Sequence, residues 1–309
     1  MLYFIVNTTS RSGKAISIWK SVKDILKSKD IPYKAYETKQ EKHATELARK
    51  ITSKDEDKID LVVLGGDGTI NEVLNGIEDF ERVRLGVIPT GSGNDFARGL
   101  GITGKPEDII NYIINNQECT RIDIGKVVWD EDSSRLFAIS SGIGLDAIVC
   151  KKTTTSRLKK FLNKIKLGKL TYILLTVQTL FSMDTFEVDI EDTNNQRSHY
   201  NKMIFMACMN CRAEGGGVPM APGATATDGR LSIASASGIP KWKTFFCLPL
   251  LAMAKHEGIQ GFSIFDTSEC IINTDKPVVL HTDGEYIDDV RNVRFECLKG
   301  KLCMLNEVK

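Results

Sequence analysis

Ile59-Asp60-Leu61-Val62-Val63-Leu64 is an apolar, β-branched run. Gly65-Gly66-Asp67-Gly68-Thr69 follows it, and then the helix-like Ile70-Asn71-Glu72-Val73-Leu74. Strand, glycine turn, helix is the order in which an α/β protein binds phosphate. Glycines let backbone N–H groups approach an anion with no Cβ in the way. The start of the helix adds the positive end of its dipole. Asp67, fixed in the turn, is a hard oxygen group suited to Mg²⁺, held directly or through water.

The same rhythm extends on both sides. Leu2–Val6 reads as a strand, and Ala15–Lys29 as a helix with Ala15, Ile18, Trp19, Val22, Ile25 and Leu26 on one face. Strands over Ile31–Tyr36 and Leu85–Ile88 and helices over Glu41–Ile51, Ile70–Ile77 and Glu107–Asn115 complete a βαβα series, Pro106 opening the last helix. The series predicts a doubly wound parallel sheet, with ligands outside the carboxyl ends of its strands. From Thr120 the pattern changes to short strands: Ile122–Val128, Leu136–Ser140, Phe186–Ile190, Met203–Ala207, Leu231–Ser235, Cys270–Asn273 and Val278–His281. These predict a mainly-β sandwich carrying helices over Leu158–Met183 and Lys241–His256. The expected division is 1–120 plus 292–309 for the α/β domain and 121–291 for the sandwich.

The chain has 309 residues, 42% hydrophobic and 26% charged, with a formal net charge of +1. It is long enough for two cores, and its charge exerts no global pull toward nucleic acid. Leu2–Val6 starts a strand at once, so no leader is expected, and the apolar windows are too interrupted to span a bilayer. A cytoplasmic location, with thiols reduced, is the expectation for the eight scattered cysteines. Cys208-Met209-Asn210-Cys211 is a lone CxxC without a second pair, and the four histidines have no ligand spacing.

Further elements carry chemistry. Asn7-Thr8-Thr9-Ser10-Arg11-Ser12-Gly13-Lys14 ends the first strand with hydroxyls, backbone donors and two cations, and Pro89-Thr90-Gly91-Ser92-Gly93-Asn94-Asp95-Phe96-Ala97-Arg98 is a second small-residue turn opening a helix. Asp228-Gly229 precedes a strand, where Asp228 and neighbouring carbonyls suit a hard cation. Asp283-Gly284-Glu285 ends another strand, and two carboxylates so spaced can act as proton acceptor and partner.

GGDGT with Asn71-Glu72, then PTGSGND, then Asp228-Gly229, then Asp283-Gly284-Glu285, together resemble the soluble diacylglycerol kinase family, which includes sphingosine and ceramide kinases. The resemblance covers nearly the whole chain. It implies transfer of the ATP γ-phosphoryl group to a lipid hydroxyl by an α/β nucleotide domain and a β-sandwich lipid domain around a cleft. On that likeness Asn7, Thr8, Thr9, Ser10, Arg11, Thr38, Gly65, Gly66, Asp67, Gly68, Thr69, Ile70, Asn71, Glu72, Thr90 and Ser92 would hold ATP. Asp67 would reach a catalytic Mg²⁺ through water. Thr225, Asp228 and Arg230 match a structural Mg²⁺ site, the outer two through carbonyl oxygens. Asp283 and Glu285 match the catalytic pair, either of which could be the base. Thr8, Ser92 and Ile139 depart from the proline, threonine and asparagine usual in the family, while Gly142-Ile143-Gly144-Leu145-Asp146-Ala147 is intact.

Such an enzyme would meet its lipid at a membrane surface, as a peripheral protein. Lys151–Lys169 carries eight cations and no acid, which suits anionic headgroups. Ile239–Phe246 mixes lysine with aromatics, as interfacial segments do, although core packing is the reading the sequence favours. A homodimer is compatible with the sequence. The rival readings are a small-molecule kinase of NAD kinase type and a non-catalytic lipid or nucleotide sensor.

Overall fold

A computed structural model describes residues 1–116, 118–131, 133–155, 168–193 and 196–309. The chain divides into two units: Met1–Ile124 with Thr225–Gly229 and Leu298–Lys309, and Gly125–Ala224 with Arg230–Cys297.

The first unit is a parallel sheet. Strands β1 (Leu2–Val6), β2 (Tyr33–Glu37), β3 (Ile59–Gly65) and β4 (Val83–Pro89) lie in the order β4-β3-β1-β2. Register runs Leu2↔Asp60 and Ile59↔Val83, so the carboxyl ends of β1, β3 and β4 stand level. β1 is buried throughout and β3 and β4 nearly so, which is why they read as continuous apolar runs rather than alternating ones. Helix α1 (Lys14–Ser28) buries Ala15, Trp19, Val22 and Leu26, and α2 (His43–Thr52) buries Ala44, Leu47, Ala48 and Ile51. α3 (Asp67–Leu74), the five-residue α4 (Asp95–Gly99) and α5 (Pro106–Asn115) follow. Arg84 pairs with Asp60 of the neighbouring strand through two bonds of 2.6 and 2.7 Å.

The far end of the chain closes this sheet. Cys303 and Met304 pair in parallel with Arg84 and Leu85 of β4. The buried Asn306 side chain then takes a strand's place: its Oδ1 accepts the Val87 N–H at 2.7 Å, and its amide donates to the Val87 carbonyl at 2.9 Å. Cys119 and Cys303 are joined as a disulfide, their Cα atoms 5.6 Å apart, which corrects the expectation that every thiol is reduced. Cys208 and Cys211 are free and buried. Burial pushes the Cys208 thiol well up and that of Cys270 up to about 12, away from the range of a reactive thiolate.

The second unit is antiparallel. β5 (Thr120–Val128) enters it from the first and pairs with β6 (Ser134–Phe137). β7 (Ser140–Gly144), β8 (Phe186–Asp192), β9 (Arg197–Met203), β10 (Phe205–Met209), β11 (Leu231–Ala236), β12 (Phe262–Thr267) and β13 (Glu269–Thr282) follow. Their order is β12-β11-β10-β7-β13, and the β8–β9 hairpin joins β13 along residues 270–274. β14 (Glu285–Met304) folds back on β13 and runs on into the first unit. Helices α6 (Leu145–Thr155), α7 (Gly168–Ser182) and α8 (Lys241–Ala252) complete the unit. Most of the Lys151–Lys169 basic stretch lies outside the described residues.

Candidate functional site

The carboxyl ends of β1, β3 and β4 carry the first cluster. Gly65 and Gly66 lead from β3 into α3, whose first turn starts at Asp67 with its N–H groups directed out of the helix end. The second glycine turn approaches so closely that a Cβ on Gly66 would lie 3.0 Å from the Gly91 Cα, and one on Gly91 2.7 Å from the Gly66 Cα. Only glycine fits either position. The Thr90 N–H donates to the Gly65 carbonyl at 2.8 Å. The Asp67 carboxylate accepts the N–H groups of Asp95 at 3.1 Å and Phe96 at 3.2 Å, so it clamps one turn to the other.

Side chains tie the strand ends together. The Asn7 amide donates to Thr69 Oγ1 at 2.9 Å, and its Oδ1 accepts the Thr9 N–H and hydroxyl. Ser10 and Thr90 hydroxyls lie 2.7 Å apart. Glu72 accepts the Ala44 N–H at 3.0 Å, capping α2. A cavity of about 400 Å³ opens over these groups. Its lining includes Asn7, Thr9, Ser10, Thr38, Gly66, Gly68, Thr69 and Glu72 of the expected set. It also includes Lys39, Gln40 and Glu41, which the sequence did not single out. Thr8, Gly65, Asp67, Ile70, Asn71, Thr90 and Ser92 are not part of its lining; Gly65, Ile70, Asn71 and Thr90 are buried. The Arg11 side chain lies outside the described residues.

The Thr225–Gly229 loop belongs to the first unit and is anchored by a residue the sequence left unmarked, Asp123. Its buried carboxylate accepts the Gly229 N–H at 2.6 Å and the Gly300 N–H at 2.7 Å, and its own N–H donates to the Ala226 carbonyl at 2.7 Å. Asp228 lies in that loop and Arg230 follows it in the chain.

In the second unit Asp283 sits in a tight turn at φ 45°, left-handed. Its carboxylate accepts three consecutive N–H groups, Ala138 at 2.9 Å, Ile139 at 2.8 Å and Ser140 at 3.1 Å. Glu285 is held differently, by Arg135 at 2.6 Å, with 37% of its side chain in solvent. Beside them lies a cluster that sequence spacing could not show. His281 Nε2 is 2.9 Å from Asp146 Oδ2, Glu214 accepts a short hydrogen bond from the Ser140 hydroxyl, and the candidate ligand atoms of Asp146, Glu214 and His281 all lie within 4.8 Å of one another. A Cβ at Gly142 would meet Asp146 Oδ2 at 2.5 Å, so the pairing depends on that glycine. Burial would push the His281 imidazole down in pKa, but the hydrogen bond to Asp146 and the charges of Asp146, Glu214 and Asp283 outweigh this and raise it. The one available signal was the Gly-x-Gly-x-Asp-Ala element that carries Asp146.

Comparison with known proteins extends over the whole chain. Residues 1–127 match the diacylglycerol kinase catalytic domain, and residues 139–306 the YegS C-terminal NAD kinase beta sandwich-like domain. YtlR, an inferred lipid kinase of Bacillus subtilis (strain 168), is 30% identical over 290 residues, covering 92% of each chain. A diacylglycerol kinase of the same organism is 30% identical over 246 residues, 79% of this chain and 76% of its own. Among solved structures, a diacylglycerol kinase from Bacillus anthracis str. Sterne shares the fold with a TM-score of 0.70 at 19% identity, covering 99% of this chain and 96% of its own. An NAD kinase from Archaeoglobus fulgidus in complex with ATP gives 0.52 at 13% identity, covering 99% and 94%.

Proposed function

Because this chain belongs to the diacylglycerol kinase family, we propose that it transfers the γ-phosphoryl group of ATP to the hydroxyl of diacylglycerol or a similar lipid alcohol. The observation that carries the reading is the pair of interlocked glycine turns over a 400 Å³ cavity at level strand ends. Phosphoryl transfer asks mainly for positioning and for neutralised charge. Asn7, Thr9, Ser10 and Thr69, with backbone N–H groups of the α3 turn, would orient the triphosphate. Bound Mg²⁺ supplies charge neutralisation on the phosphates. The hard oxygens of Asp67 suit it, and Asp228 with the Thr225 and Arg230 carbonyls suits a second, structural ion.

Glu285 is the proton acceptor in this reading. Asp283 is occupied with three amides and fixes the turn, whereas Glu285 is partly open to solvent. As the hydroxyl oxygen bonds to the γ-phosphorus, its proton passes to Glu285, and the bond to ADP breaks with its electron pair leaving on ADP. A general base contributes about 10²–10⁴-fold. The enzyme meets its substrate as a peripheral cytoplasmic protein; no helix among the described residues is long and apolar enough to cross a membrane. Purified protein with γ-labelled ATP, a total lipid extract and added NAD tests the proposal. A labelled phospholipid is expected, and label on NAD alone would instead favour the NAD kinase reading that the ATP-bound fold neighbour suggests.

A further inference from the structure

The Cys119–Cys303 disulfide joins residues 184 positions apart, so the whole second unit lies between its ends along the chain. Both cysteines belong to the first unit, and their Cα separation of 5.6 Å lies within the range a bridge requires. The two sulfurs are not equally accessible. Cys303 is buried near the end of β14, whereas Cys119 is partly exposed in the connection from α5 to β5. The six other cysteines are reduced thiols, and Cys150, Cys208, Cys211, Cys247 and Cys270 among them are buried. A thiol arriving from solvent therefore meets the bridge at Cys119.

The bridge fastens the segment that closes the parallel sheet. Pairing with β4 begins at Cys303, which stands beside Arg84, and continues through Met304 beside Leu85. The Leu305 N–H donates to the Leu85 carbonyl at 2.8 Å, and the Asn306 side chain holds Val87 by both its N–H and its carbonyl. Upstream, Gly300 is tied to β5: its N–H goes to Asp123 at 2.7 Å, and its carbonyl accepts from Arg121 at 3.1 Å. Val87 lies two residues before Pro89, where the second glycine turn departs to pack Gly91 against Gly66. One border of β4, and with it the root of that turn, thus depends on the last residues of the chain. Chain ends open locally at low free energy unless they are tied down.

We propose that the Cys119–Cys303 bond is a thiol–disulfide exchange site opened by a dithiol, and that its state sets how firmly the chain's end holds β4 and how tightly the neighbouring cavity binds ATP. The consequence for ATP rests on the nucleotide reading of that cavity; the chemistry at sulfur does not. In the reducing compartment which the lipid-kinase reading gives this protein, a disulfide is characteristically a transient, redox-sensing one. The dithiol attacks as a thiolate at the Cys119 sulfur. A new S–S bond forms there, the bond to Cys303 breaks, and its electron pair leaves on Cys303, which takes a proton from water. The dithiol's second thiolate then displaces Cys119 from the mixed disulfide, and Cys119 is protonated in turn. Two electrons and two protons reach the protein, and the dithiol departs as its own disulfide.

Dithiothreitol and glutathione disulfide, applied to the folded protein, are the probes. After native treatment with dithiothreitol and its removal, alkylation in denaturant should count eight thiols in place of six. A bond that dithiothreitol leaves intact without denaturant overturns the exchange site. Glutathione disulfide should modify Cys119 in Cys303→Ser at least about tenfold faster than Cys303 in Cys119→Ser, and equal rates overturn the choice of attacked sulfur. In the wild type, reduction should speed hydrogen exchange at the Val87 and Leu305 amides at least about tenfold. It should also weaken binding of trinitrophenyl-ATP at least about fivefold, with reoxidation restoring both. Unchanged exchange at the two amides overturns the hold on β4. Equal trinitrophenyl-ATP affinity in the two forms overturns the coupling. Binding by neither form, beside faster exchange on reduction, sinks the nucleotide reading and leaves the exchange site supported.

Discussion

Asp283→Asn and Glu285→Gln each neutralise one carboxylate of the same turn, and the geometry separates their effects. In Asp283→Asn one oxygen becomes an NH₂ group facing a backbone N–H. With the amide turned to spare the two bonds at Oδ1, the Ala138 bond at Oδ2 is lost. A charge-assisted bond contributes about 1.5–3 kcal/mol, and the N–H left unsatisfied adds about 1–3 kcal/mol when buried. The expected loss is about 3 kcal/mol, or roughly 6–12 °C in melting temperature at 2–4 °C per kcal/mol for a domain of this size. Glu285 is 37% exposed, so its pair with Arg135 contributes below about 1 kcal/mol and Glu285→Gln should melt within roughly 4 °C of wild type. Its turnover should nonetheless fall about 10²–10⁴-fold. Scanning calorimetry with a labelled-ATP lipid assay on both variants gives the comparison. An unshifted melting temperature in Asp283→Asn beside full turnover in Glu285→Gln would refute the assignment of anchor and base.

The remaining expectations concern single contacts. Asp67→Ala removes the clamp on two amides of the second glycine turn, so affinity for a fluorescent ATP analogue should drop at least tenfold, about 1.4 kcal/mol, by titration. Gly142→Ala drives a methyl into Asp146 Oδ2 and the Met206 carbonyl and should cost about 1–3 kcal/mol in urea unfolding. His281 holds its proton more tightly folded than unfolded, so its contribution is fully present below about pH 6.5 and fades as pH rises through the raised value. Urea midpoints from pH 6 to 8, roughly the histidine range, should therefore fall more in wild type than in Asp146→Asn.

The parallel sheet was legible because a strand buried on both faces leaves an uninterrupted apolar run, as Leu61–Leu64 does. The second unit was legible in outline only. Leu136–Ser140 reads as one strand, yet it breaks into β6 and β7 because the Asp283 carboxylate captures the N–H groups of residues 138–140 that a ladder would use. β9 was not delimited as a strand because Arg197–Met203 is almost wholly exposed and polar. Within the sites, glycine turns announce themselves in sequence. Asp123, Glu214 and His281 do not, since their partners lie 67 to 177 residues away. Trp242 and Phe246 read as core in sequence, and their exposure corrects that reading.

The first unit takes its outermost strand and the Asn306 plug from the last dozen residues, so it is discontinuous along the gene. A ribosome that has delivered Ile124 must still add about 170 residues before Leu298 emerges, roughly 10–35 s at ordinary elongation speeds. Through that interval β4 presents an unpaired border to whatever else is nearby, the situation in which nascent chains stick to one another. The half made first is thus finished last, and its maturation is timed by translation of the other.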